Sequence, residues 1–295
     1  MRPKVNKIHE VTGWSLTSPY LIYSLVFFLI PLGWAFYMSF TDWNLISPVM
    51  EWIGVQNYNE AFFDEGVRAA FFVTFKFLFM YIPLVLCLSL LLATLVNALP
   101  RYKSIFIIGY FLPYLASGVA SSIVVRGVLS YDSPLNIWLR ETWNLNIDWL
   151  NSEQLTPIII VLMMVWKFGG YYALILIAGL ESIPKDVYEA ALIDGVTKWK
   201  QLWKITLPLL YPALFTVTIL AIGVVFHIFT EPYVLTNGGP NLSTNTWYIE
   251  IYNEAFNKLN TGYGATIAIF NAIVTFLSIS IFKKIFEKWG AKNGW

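Results

Sequence analysis

The chain has 295 residues, 57% of them hydrophobic and only 13% charged, and its mean hydropathy is +0.61. A soluble domain carries about 25% charged residues, so this composition describes a membrane protein. The net charge of +1 argues against a nucleic-acid partner, and the single Cys87 excludes an internal disulfide or a cysteine metal cluster.

The apolar segments fall in six blocks, each meeting the requirement of about 20 residues for a bilayer-spanning helix. A short basic N-terminus with Arg2, Lys4 and Lys7 is followed by Trp14, a residue suited to the membrane interface, and then by span 18–40, where Pro31 predicts a kink. This first block is too long for a signal-peptide core and no small-residue cleavage site follows it, so it is expected to remain. A polar loop at 41–68 leads to span 69–97, a tight basic turn at 98–103, and span 104–129. A Trp-rich acidic loop at 130–155 precedes span 156–179, in which Gly169-Gly170 marks a place for a helix to break. The polar stretch 180–206, span 207–229, the polar loop 230–262, span 263–282 and a basic tail complete the chain.

Thirteen Lys and Arg residues lie in the N-terminus, the 98–103 turn, the 180–206 loop and the tail, whereas the alternate loops hold only Arg68, Arg140 and Lys258. The positive-inside rule then predicts an all-α membrane protein with six spans and both termini cytoplasmic. No solenoid or inverted repeat is visible, so 1–295 is expected to be a single membrane domain.

The run Glu189 to Pro208 is the most informative polar stretch. Its pattern predicts two short helices: Ser182 as N-cap, Pro184 in the first turn, Gly195 in a left-handed C-terminal cap, and Thr197 opening the second helix. Tyr188, Ala191, Leu192, Gly195 and Trp199 recur at three- and four-residue steps, giving one apolar or small face. On these grounds alone it reads equally as an interfacial loop on the headgroups or as a surface gripped by another protein.

Glu189-Ala190-Ala191, then Gly195, Ile205 and Leu207-Pro208 at their spacing, resemble the cytoplasmic loop of permeases in binding-protein-dependent ABC importers. Ser39-Phe40-Thr41-Asp42-Trp43, Ile53 to Tyr58, Leu112-Pro113, Trp166-Lys167, Leu180 to Pro184 and Tyr233 to Pro240 extend the likeness to the carbohydrate type, similar to maltose and glycerol-3-phosphate importers. The chain is similar to the compact form, without the extra N-terminal spans and large insert of the maltose transporter's larger permease.

What the resemblance implies is a transport subunit rather than an enzyme, in a bacterial or archaeal plasma membrane. Its partners would be a second homologous permease, two ATPase subunits and an extracytoplasmic solute-binding protein that delivers sugar to loops 41–68, 130–155 and 230–262. The loop 181–206 would couple to the ATPase through Tyr188, Glu189, Ala190, Ala191, Asp194 and Gly195. This chain holds no phosphate-binding loop, so ATP and Mg would belong to the ATPase subunits, and no cofactor or metal is expected here.

Polar residues at membrane depth are candidates for the substrate pathway. Lys167 lies about eleven residues into span four, roughly 16 Å along the helix axis, and either lines a cavity or makes an ion pair or hydrogen bond between spans. Tyr171 follows it; His227, Thr230 and Glu231 cluster at the outer end of span five; Asn271 either meets sugar or ties span six to a neighbour. Arg126 and Lys76 are explained by snorkelling.

Two other classes compete. A stand-alone secondary transporter would want repeated halves and buried carboxylates, and the predicted spans contain no Asp or Glu. An intramembrane protease would need a nucleophile and base together at depth, which Cys87 and His227 do not supply. Within the importers, a glycerol-3-phosphate carrier is the rival to a sugar carrier. It would favour fixed cations, of which Lys167 is the obvious one.

Overall fold

The computed structural model describes residues 7–99 and 101–292; Arg2, Lys4 and Pro100 lie outside them. Among the described residues, apart from one isolated bridge between Thr41 and Trp52, the regular structure is helical. Among the described residues five helical segments are long and apolar enough to cross a bilayer: Thr12–Met38, Glu65–Asn97, Leu155–Glu181, Tyr211–Thr236 and Thr261–Lys288. A sixth is obtained if the pair Lys103–Leu115 and Gly118–Trp143, bent by 90°, counts as one span.

The chain divides into two compact units, Met1–Phe63 with Ile251–Ile269, and Asp64–Glu250 with Phe270–Trp295. In the first unit, α1 (Lys7–Ser24) passes through a π-helical turn at Leu25–Leu29 into α2 (Ile30–Met38). Pro31 follows that wide turn directly. A widened turn moves the carbonyl that a proline ring would strike, so Pro31 is accommodated here by the π-turn. The same device recurs in the second unit, where a π-turn at Leu202–Thr206 precedes Pro208.

Beyond α2, residues 39–58 are clasped by side chains. Asn57, the second residue of α3 (Gln56–Phe63), donates to the carbonyls of Ser39 (3.1 Å) and Thr41 (2.8 Å). Tyr58 meets the Ser39 hydroxyl at 2.7 Å, and Thr266 donates to the Ser39 carbonyl at 3.0 Å. The two sequence blocks Ser39 to Trp43 and Ile53 to Tyr58 therefore have a structural reason for their composition: one supplies turning backbone, the other the amide that satisfies it.

The second unit is built around α8 (Leu155–Glu181), which packs along α4 (Glu65–Asn97) and against α5 (Lys103–Leu115) and α12 (Tyr211–His227). Tyr81, Phe77, Tyr172, Met164 and Leu176 are fully buried there. α4 begins at Glu65, four residues before the predicted span, because Asp64 caps it by accepting from the Val67 amide at 2.8 Å. α8 does not break at Gly169-Gly170. Instead the glycines let neighbours approach: a methyl at Gly169 would press on Leu88, one at Gly170 would overlap the Tyr110 carbonyl, and Ser89 donates to the Gly169 carbonyl at 3.0 Å.

The predicted third span is two helices. α5 ends at Leu115, two residues after Pro113, and α6 (Gly118–Leu129) starts after an extended Ala116-Ser117 link. Predicted loops also carry helices: α7 (Pro134–Trp143) lies in 130–155, and α13 (Thr230–Thr236) and α14 (Trp247–Tyr252) lie in 230–262. The fifth span stops as regular helix at His227 and resumes at Thr230. The last long helix, α15 (Thr261–Lys292), starts two residues before the predicted sixth span and runs well past its end.

Candidate functional site

Two places bring the sequence candidates into defined geometry. The first is the 181–206 loop. α9 (Lys185–Ile193) is followed by Gly195 at φ +69°, the left-handed turn its sequence anticipates, and α10 (Lys198–Gln201) opens with Thr197 accepting from the Lys200 amide. Ser182 is not the N-cap of α9. Its hydroxyl donates back to the Gly179 carbonyl, finishing α8, and Pro184 occupies the cap position.

The apolar face of α9 divides. Tyr188 turns inward, its hydroxyl 3.3 Å from that of Thr206, and Ala191 is 5% exposed. Glu189, Ala190, Asp194 and Gly195 are exposed. So are Leu192 at 64% and Ile193 at 87%, with Trp199 and Trp203 forming an exposed edge-to-face pair at 5.7 Å. Tyr188 and Ala191 thus seat the helix on its own subunit, while Leu192, which the sequence places on the same stripe, and Ile193, which the sequence does not single out, present the surface. A period-3.6 stripe locates apolar residues but not which side of it faces home, which is why reasoning from sequence merged the two groups.

The second place is the break in the fifth span. Lys167 of α8 reaches Glu231 of α13, Nζ to Oε1 2.7 Å, with side chains only 12% and 7% exposed. Both heads lie against Gly118 at the start of α6, as does the Thr230 methyl, so any side chain at 118 would press on all three. Glu231 lies just beyond the predicted span 207–229 but inside the longer helical segment Tyr211–Thr236, so a buried carboxylate stands immediately past the end read from the sequence.

The break leaves carbonyls without helical partners, and side chains take them. Asn271 Nδ2 of α15 donates to the Phe226 carbonyl at 3.4 Å, and Thr246 donates to that of Ile228 at 2.9 Å. Asn271 is therefore a helix-to-helix contact, buried at 5% exposure. Tyr171 stacks on Tyr114 of α5 at 4.5 Å, a turn away from Lys167. His227 is apart from the ion pair: it is exposed, its Nδ1 is 2.7 Å from the Gly223 carbonyl, and its ring tilts against Tyr248 at 5.4 Å. Burial raises the Tyr248 hydroxyl above the ordinary phenol range, so it stays protonated and available as a donor.

Arg126 does more than snorkel. Its guanidinium approaches the Val234 carbonyl at 3.4 Å, joining α6 to α13. The block Tyr233 to Pro240 likewise has internal ties, with Thr244 bonding the Thr236 hydroxyl and the Gly239 carbonyl at 2.8 Å each.

Residues 61–290 match the family described as binding-protein-dependent transport system inner membrane component. The chain belongs to this family. Relatives align along nearly the whole length of this permease. A probable ABC transporter permease, YesP of Bacillus subtilis, is 31% identical over 93% of this chain and 90% of its own. The multiple sugar-binding transport system permease MsmF of Streptococcus mutans is 29% identical over 94% and 97%. The trehalose/maltose transport system permease MalF of Thermococcus litoralis is 31% identical over 94% and 93%. A chain of a bacterial ABC transporter that imports the acidic polysaccharide alginate shares the fold, with a TM-score of 0.82 over 95% of this chain and 96% of that one, at 21% identity. The resemblance to carbohydrate-type ABC importer permeases stands, and the protein is a multi-pass membrane subunit of that kind.

Proposed function

We propose that this permease forms half of the pathway by which an ATP-driven importer takes up a neutral oligosaccharide. It is proposed to work as one membrane unit over 1–295, with six spans (the bent pair α5 and α6 to α7 counted as one) and both termini in the cytoplasm of a bacterium or archaeon. A second homologous permease would complete the pathway. Two ATPase subunits, which carry ATP and Mg, would dock on the loop 181–206, and an extracytoplasmic binding protein would deliver sugar to the opposite face.

The observation that carries this reading is the α9 surface. A short helix offers Glu189, Ala190, Leu192 and Ile193 to solvent while Tyr188 and Ala191 fasten it to the bundle. Exposed Ile and Leu beside a carboxylate suit a cleft on a partner, where an apolar seat and a charge-assisted contact worth about 1.5–3 kcal/mol act together. The fastening through Tyr188 makes the helix a rigid lever into the bundle. Asp194 and Gly195 then set the turn that returns the chain.

The substrate is taken to be uncharged because the buried cation that a phosphate ester would want is already engaged. Lys167 is paired with Glu231 and both are nearly enclosed. Relatives named for trehalose/maltose and for multiple sugars point the same way. Tyr171, Thr230 and His227 remain pathway candidates around that pair, and Asn271 is proposed to shape the pathway by holding the fifth-span break rather than by touching sugar.

The test is purification of the full-length chain in mild detergent with its associated proteins, followed by ATPase assays with sugar-loaded binding proteins. Recovery of an ATPase and a second permease, with hydrolysis rising for a neutral sugar, supports the reading. A chain that purifies alone from its native membrane and supports no sugar-stimulated hydrolysis contradicts it, and selective stimulation by glycerol 3-phosphate contradicts the neutral-sugar part.

A further inference from the structure

A cleft of about 410 Å³ opens where the end of α6, the segment around 148–151 and the turn 233–240 converge. Its volume lies within the range of small-ligand sites. Its wall mixes the groups that grip a polyhydroxylated ring. Arg126 offers a guanidinium fork whose single hydrogen bond in the described structure is the long one to the Val234 carbonyl. Asp148 is held by Asn151, whose Nδ2 lies 3.1 Å from each carboxylate oxygen, leaving the Asn151 amide oxygen without that duty. Tyr131 contributes a half-exposed ring kept in place by Asn146 on its hydroxyl (2.8 Å) and by the Arg140 guanidinium at 5.1 Å from its centroid.

We propose that this cleft is a carbohydrate subsite that takes one or two neutral sugar units. The proposal rests on the import function and topology proposed above, under which the cleft opens on the extracytoplasmic face. One cation and one carboxylate line it, so its fixed charges balance, which suits vicinal hydroxyls better than an anion. Planar guanidinium, amide and carboxylate groups match a diol with paired hydrogen bonds, and an aromatic ring faces the apolar side of a pyranose. The turn bounding the cleft is pre-set by the Thr236–Thr244–Gly239 hydrogen bonds, so little ordering remains to oppose binding. A site here would add selectivity ahead of the membrane interior, on this subunit itself.

The test uses the full-length chain in lipid nanodiscs and saturation-transfer difference NMR with maltotriose, arabinotriose and raffinose. At least one sugar should receive saturation, and Arg126→Gln should weaken it by about tenfold, the scale of one lost charge-assisted hydrogen bond. Asn151→Trp, at an exposed position where folding is not at stake, should abolish it by filling the cleft. No saturation for any of the three sugars, or saturation unchanged in both variants, overturns the proposal. So does loss of binding-protein affinity in the variants without sugar contact, which would make the cleft a protein-docking pocket. The broader reading is scored separately: sugar-stimulated ATPase in the native assembly that neither variant alters removes the subsite and leaves the importer, whereas absent stimulation in the native assembly removes the importer reading itself.

Discussion

Lys167 and Glu231 are 64 residues apart in sequence and 2.7 Å apart in space, nearly enclosed, at the first residue of α6. A buried ion pair contributes little net stability, but removing one partner strands the other charge, at about 3–5 kcal/mol. Lys167→Met and Glu231→Gln are therefore each expected to lower the unfolding temperature of the detergent-solubilised protein sharply. The double variant should recover much of the loss, and a double variant as unstable as the sum of the singles would show that the two side chains act separately.

Gly118 should behave as part of that same group. Gly118→Val places branched carbon against the ammonium, the carboxylate and the Thr230 methyl at once. The expected effect is overpacking of about 1–3 kcal/mol, readable as a drop in thermal stability with the ion pair intact by charge. Stability equal to the parent would mean that α6 starts farther from the pair than described.

Gly170→Ala offers a sharper contest between local preference and packing. Alanine is favoured over glycine within a helix by about 1 kcal/mol. Here the added methyl overlaps the Tyr110 carbonyl, which belongs to backbone and cannot swing aside. Net destabilisation is expected in thermal unfolding, whereas a stabilised variant would show that α5 and α8 are not in close contact at this level.

In the clasp at 39–58, Asn57→Ala removes the donor to two carbonyls and leaves both without it. Loss of about 1–3 kcal/mol is expected locally. Hydrogen exchange should rise at the amides of 39–58, and an unchanged pattern would contradict the structural role assigned to Asn57.

Much of this architecture was legible because bilayer physics is strict. Among the described residues five of the six apolar blocks form single segments long enough to cross a bilayer, the third splits in two, and Gly195 and Thr197 do what their local chemistry requires. What was hidden depends on partners distant in sequence. The split at Ala116-Ser117 has only Pro113 as its local sign, and apolar composition continues across it. The break at Phe229 resembles a span end, so the continuation of the helical segment through Glu231 has no local sign, and nothing local reveals Lys167 as its counter-ion. Gly169-Gly170 looked like a break because glycine permits one, yet the same lack of a side chain serves close packing. Periodicity likewise grouped Tyr188 with Leu192 on α9, although the bundle claims the first and leaves the second exposed.

That division on α9 yields a direct contrast. Ile193→Asp alters the exposed surface and should abolish co-purification of the ATPase, while Tyr188→Phe removes only one hydroxyl contact at 3.3 Å and should preserve it. Equal loss in both would mean that the helix docks through its inward side.

The most direct measurement is sugar uptake and ATP hydrolysis side by side in proteoliposomes containing the assembled importer, native and with Glu189→Lys. Reversing the exposed charge of α9 should leave the permease inserted and the ATPase subunits able to hydrolyse ATP, while uptake falls to background. Normal uptake by the Glu189→Lys assembly would contradict coupling through this loop.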